Sequence, residues 1–156
     1  MTAESMQGIL NPHWFFLLFL ALWIAITGLL SRFSGWSRLA RDFPATTAGS
    51  GERFIFASGS IGGQHMPVNY SNCLFVTIGP EGMRLSILFL FRFLSPPFFL
   101  PWSAVASVEE KQTFFLKHYV LRVRDRTSQI TLRGSAGRTM KQLFDASMTP
   151  GARRSI

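Results

Sequence analysis

From Asn11 to Ser31 no residue carries a formal charge, and the run from Trp14 to Leu30 is almost wholly apolar. A helix built from this stretch is hydrophobic on every side, so it lacks the wet face that a surface helix of a soluble domain presents. Asn11 is a good N-cap, and Pro12 suits the first helical position, where its missing N–H is no loss. At about 1.5 Å per residue, Pro12 to Leu30 covers roughly 28 Å, close to the hydrocarbon thickness of a bilayer. A transmembrane helix over residues 12–30 is therefore expected. Trp14 near one end and Trp36 just beyond the other suit the headgroup belts, and Arg32 can snorkel outward. A cleaved signal peptide fits less well. The leading segment has Glu4 and no Lys or Arg, and Ser31-Arg32-Phe33-Ser34 is a poor cleavage site.

Charge sets the expected orientation. Arg32, Arg38, Arg41 and Arg53 follow the apolar run, and no Lys or Arg precedes it. The positive-inside rule then places the C-terminal domain in the cytoplasm and the N-terminus across a single-pass membrane. The sequon Asn69-Tyr70-Ser71 would matter only in the reverse orientation. Lys plus Arg number 16 against 8 Asp plus Glu, an excess that favours an anionic neighbour; with a membrane helix present, lipid is the simpler one. The single cysteine, Cys73, excludes an intrachain disulfide and fits a reducing compartment.

After the helix, Trp36, Leu39, Ala40 and Phe43 recur at helical spacing, with Ser37, Arg38, Arg41 and Asp42 on the other side. Ser34 is a candidate cap, and Pro44 stops the segment. Two placements are open for this short amphipathic helix. In one it lies in the headgroup layer, and Arg32, Trp36, Arg38 and Arg41 contact lipid. In the other it packs on the soluble domain. The small-residue stretch Pro44–Gly51 then closes a juxtamembrane unit of residues 34–51.

The soluble domain, residues 52–148, reads as short strands separated by turns, with residues 149–156 as a tail. Arg53–Ser58 alternates, with Phe54 and Phe56 sharing a face, and Gly59–Gly63 reads as a turn. Cys73–Ile78 and Met83–Phe91 form a hairpin around Gly79-Pro-Glu-Gly82, and Leu85–Leu94 reads as a core strand broken by Ser95-Pro96-Pro97. Val105–Lys111 and Phe114–Lys117 are further strands, and Tyr119–Arg124 with Gln129–Arg133 make a hairpin. Met140, Leu143, Phe144 and Ser147 switch to helical spacing, from Ser135 to before Pro150.

This order, antiparallel strands and then one amphipathic helix, resembles the pleckstrin-homology-like superfamily, above all its GRAM and bacterial PH-like branches. The supporting residues are Leu74-Phe-Val-Thr-Ile-Gly-Pro-Glu-Gly82-Met-Arg-Leu85 and the turn Leu100-Pro101-Trp102-Ser103-Ala-Val105. The resemblance implies a mainly-β PH-like domain, an antiparallel sandwich or barrel with a C-terminal helix, behind one N-terminal transmembrane helix. The expected role is a binding module rather than an enzyme, on a bacterial inner membrane; the alternative is an accessory or structural subunit of a larger membrane complex, docked through the aromatic-rich Phe89–Trp102 region. The basic clamp that lipid-binding relatives carry in the first hairpin has no counterpart here, since Gly59–Asn72 has no Lys or Arg.

No cofactor or metal is expected. His13, His65 and His118 are scattered, one cysteine cannot make a structural zinc site, and Gly59–Gly63 lacks the Gly-Lys-Ser/Thr end of a phosphate loop. Glu109 and Glu110 are strand neighbours that point to opposite faces, so they do not form an acid–base pair. One basic set is organised. Arg122 and Arg124 alternate with Tyr119, Leu121 and Val123, Arg133 joins them from the returning strand, and Lys117 extends the set. The set is either a face for anionic headgroups or a membrane-protein partner, or a solvated sheet surface. Nucleic acid is not expected, because no aromatic residue interleaves these cations.

Overall fold

The computed structural model describes residues 11–45, 49–63, 66–124 and 127–149. Thr46–Ala48 of the expected linker, His65, Asp125 and Arg126 of the hairpin turn, and the N-terminal flank and tail at 1–10 and 150–156 lie outside them. The first element is helix α1, Pro12–Phe33, with Pro12 opening it after Asn11. It runs three residues beyond the expected end. Its 22 residues span about 33 Å, and it is long and apolar enough to cross a membrane. Gly35, with φ of 71°, turns the chain into helix α2, Trp36–Asp42. The N-cap is Gly35 rather than the expected Ser34, although Ser34 Oγ accepts the Trp36 backbone N–H at 3.3 Å.

Seven antiparallel strands follow: β1 (Glu52–Gly62), β2 (Pro67–Ile78), β3 (Gly82–Ile87), β4 (Phe98–Pro101), β5 (Val105–Thr113), β6 (Leu116–Val123) and β7 (Gln129–Arg133). They form one curled sheet in the order β4-β3-β2-β1-β7-β6-β5. A single helical turn, α3 (Phe89–Arg92), lies between β3 and β4, and helix α4 (Gly134–Met148) ends the described chain. α4 packs on the sheet through Ala136, Gly137, Met140 and Phe144, with the Phe144 ring 5.9 Å from Trp102. One apolar helix, a curled antiparallel sheet and a C-terminal helix are thus the observed architecture, and it is compatible with a PH-like fold.

Several local expectations change. Gly59–Gly62 is strand, not turn, because β1 pairs with β2 on one side and β7 on the other. A β-carbon at Gly59 would lie 2.2 Å from the Thr131 carbonyl, so glycine here permits close strand approach. Register breaks on both sides of Ala57 rotate the chain, and Phe56, at φ of 55°, is exposed while Phe54 is half-buried. The two rings therefore do not share a face. Leu85–Leu94 is not one strand: after Ile87 the chain leaves the sheet and coils as α3. Phe114–Phe115 form the two-residue turn of the β5–β6 hairpin, with Thr113 opposite Leu116. The β6–β7 hairpin forms as expected, with Arg122 opposite Gln129.

The core lies between sheet and α4 and also takes in Trp36 and Leu39 of α2. Residues on both sides of the expected boundary near Glu52 thus share one core. Phe43 and Pro44 continue onto β4: Phe99 N–H donates to the Phe43 carbonyl at 3.0 Å, and Pro44 bridges Phe98. This covers the free edge of β4, which would otherwise offer unpaired backbone groups.

Candidate functional site

Two surfaces are candidates for function: the α1 face with its neighbours, and the basic strand face. The first is built from the end of α1. Ser31 Oγ donates to the Leu94 carbonyl at 2.8 Å and lies 2.9 Å from Ser37 Oγ, so three segments meet at one hydroxyl. Ser34 Oγ donates to the Ser31 carbonyl and accepts the Tyr70 O–H at 3.2 Å. Leu94 packs against Gly28, where a β-carbon would come within 3.2 Å of Leu94 Cδ1. Phe91 stacks at 5.3 Å on Trp23, more than two turns back along α1. The rest of α1 is bare: every residue from Pro12 to Ile26 is exposed, while Thr27 and Ser31 are buried.

Trp36 is not a lipid contact. Its ring is 0% exposed, with an edge on Phe98 at 5.1 Å and Tyr70 at 5.8 Å, and its Nε1–H donates to the Pro96 carbonyl at 2.8 Å. The physical reason is that the apolar side of α2 finds a protein core, so the second of the two placements is the one adopted. Arg32, Arg38 and Arg41 remain exposed on the outer side.

The basic set divides. Arg122 and Arg133 share the outer face of the sheet, where Arg133 faces His118. Arg122 lies 3.8 Å from Glu109, and Lys117 makes a 3.0 Å ion pair with Glu110. Lys117 has the alternation parity of Tyr119 and Leu121, which puts it on the other face from Arg122, and it does not extend the set. Arg124 turns to an open groove of about 560 Å³ beside Glu81, Trp102 and the end of α4. The four cations are thus not one patch.

Two exposed apolar surfaces remain, and only the second went unread in the sequence. Phe89, Leu90 and Phe93 are exposed, Phe93 by 85%. From Glu109 to Lys117 every residue of the β5–β6 hairpin is exposed, and its tip carries Phe114, Phe115 and Leu116, with Phe115 96% exposed. The available signal was an apolar triplet between Lys111 and Lys117, too short for a buried strand.

Among the described residues no group of three or more His, Cys, Asp or Glu is placed to hold a metal. Cys73 is half-buried, and burial pushes its thiol pKa up, away from the reactive thiolate. Burial likewise raises the Tyr70 phenol, with the bond to Ser34 opposing. Cys73 and Tyr70 line a cleft of about 210 Å³ beside Thr27 and Ser31 of α1. Neither a scan of protein-family models nor a search of curated proteins finds a match to this chain.

Proposed function

We propose that this chain is a single-pass membrane protein whose PH-like domain acts as a noncovalent binding module at the membrane surface. The observation that carries this reading is α1 itself, apolar on all sides and bare from Pro12 to Ile26. In water that surface is far larger than the apolar patches a soluble monomer exposes, and lipid is its cheapest surrounding. The arginines after α1 favour a cytoplasmic domain, with Arg32, Arg38 and Arg41 toward anionic headgroups. Confinement raises the domain's effective concentration near membrane partners without any new contact.

A second reading is an accessory subunit of a larger membrane complex. Of the aromatic-rich Phe89–Trp102 region that this reading would dock, Phe98, Leu100 and Trp102 are core residues. The feature that favours it is the projecting arm tipped by Phe114, Phe115 and Leu116. Crosslinking in native membranes from a photoreactive group at Phe115 separates the two: a single dominant protein adduct supports the subunit reading.

The primary test is sedimentation of lysed cells without detergent, in which the full chain is expected in the membrane pellet and release by carbonate sinks the anchor. Labelling an added cysteine before Asn11 from outside intact cells tests orientation. Protection there reverses it.

A further inference from the structure

A flat bilayer treats both sides of a helix alike at a given depth. On its free side, the C-terminal half of α1 still shows Ile26, Leu29 and Phe33 to the surroundings. On its other side, at the same level, lies the segment between β3 and β4, held by the Phe91–Trp23 stack, the Leu94–Gly28 contact and the Ser31–Leu94 bond. Trp23 precedes Phe33 by ten residues, so this segment reaches back along the helix by about 15 Å. If lipid covers Leu29 and Phe33 on one side, it must meet Phe89, Leu90 and Phe93 on the other.

We propose that Phe89, Leu90 and Phe93 are sunk in the bilayer beside α1, so that the domain enters lipid by its own edge as well as through a helix. The occupant of this apolar face is lipid, because the face is continuous with the bare surface of α1. The backbone of the segment tolerates this. Phe91 N–H donates to the Leu88 carbonyl and Ser95 N–H to the Arg92 carbonyl, while the Leu94 and Pro96 carbonyls accept from Ser31 and Trp36. Irregular backbone is admitted at membrane depth where protein groups satisfy it. Arg92, exposed among these apolar side chains, has a stem long enough to carry its charge to the headgroups.

The proposal rests on α1 being in the membrane, and the test keeps the two apart. In a full-length Cys73→Ser background, Phe89→Cys, Phe93→Cys, Phe19→Cys and Gln142→Cys are each labelled with nitrobenzoxadiazole. Each protein is then reconstituted in phosphatidylcholine–phosphatidylglycerol nanodiscs with or without doxyl-lipid. Folding is checked by near-UV circular dichroism. The expected result is blue-shifted emission, loss of intensity to doxyl-lipid and shielding from iodide at 89 and 93, with deep quenching at 19 and water-like emission at 142. Iodide access at 89 and 93 while 19 is quenched by lipid overturns the edge insertion and leaves the anchor standing. Shielding from iodide without quenching by lipid means a protein covers the face, and also overturns it. Absence of lipid quenching at 19 removes the anchor and the proposal together.

Discussion

Phe89–Leu94 and Phe98–Trp102 are two aromatic-rich segments separated only by Ser95, Pro96 and Pro97, and they have opposite fates. Phe98 and Leu100 lie opposite Leu85 and Met83 of β3 and are 0% exposed. Phe89 and Phe93, of like composition, coil beside α1 and point outward. The difference lies in pairing. A segment that alternates against a strand hides every second side chain beneath the sheet. A single helical turn has no such partner, so only Phe91 and Leu94, the side chains that meet α1, are partly covered. Hydrophobicity alone therefore does not say which surroundings an apolar side chain enters.

The strongest way to break this contrast is truncation on either side of the prolines. Phe98→Ala should destabilise the full chain in detergent by about 3–5 kcal/mol, whereas Phe93→Ala should stay within about 0.5 kcal/mol, by denaturant titration. Equal losses would show that the outer segment also carries the fold. A smaller effect is expected at the joint. Trp36→Phe keeps most of the ring packing but removes the donor to the Pro96 carbonyl, a loss of about 1–3 kcal/mol in the same titration. No loss would mean that bond does not hold the two segments in place.

The contrast also marks what was legible in the sequence. α1, the β6–β7 hairpin and α4 could be read because each has a single strong period or a clear turn. The second half of β1 and the short β4 could not. Gly59–Gly62 has turn composition, and only β7, arriving from more than sixty residues away in sequence, makes it a strand. At the candidate surfaces the exposed Arg38 and Arg41 were readable from helical spacing. Trp36 was not, since a period identifies an apolar side but not what covers it. Lys117 was misassigned although alternation alone put it on the other face.

Two gentler experiments sharpen the polar side of the comparison. Replacing Arg122 and Arg133 of the outer sheet face with Gln, together with Arg124 beside its groove, should change stability by less than about 0.5 kcal/mol per site, because the Arg122–Glu109 pair is exposed. If this face meets headgroups, anionic nanodiscs should slow amide exchange in β6 and β7 relative to neutral ones, and the triple variant should erase the difference. Equal exchange in the unmodified chain would assign these cations to solvent. The smallest effect is expected at Cys73. With its thiol pKa raised by burial, alkylation near neutral pH should be slower than in the unfolded chain and should quicken as alkali generates thiolate. Rapid labelling of the folded protein would show that the cleft beside α1 opens.

The hydroxyl of Ser31 ties α1 to Leu94 and faces Ser37, so the helix is joined to the segment ahead of β4 by a side chain as well as by the main chain. A spanning helix leans over when the bilayer around it thins. Were α1 seated in a bilayer, this tie would pass such a lean on to Leu94, and the sheet edge would tip with its anchor.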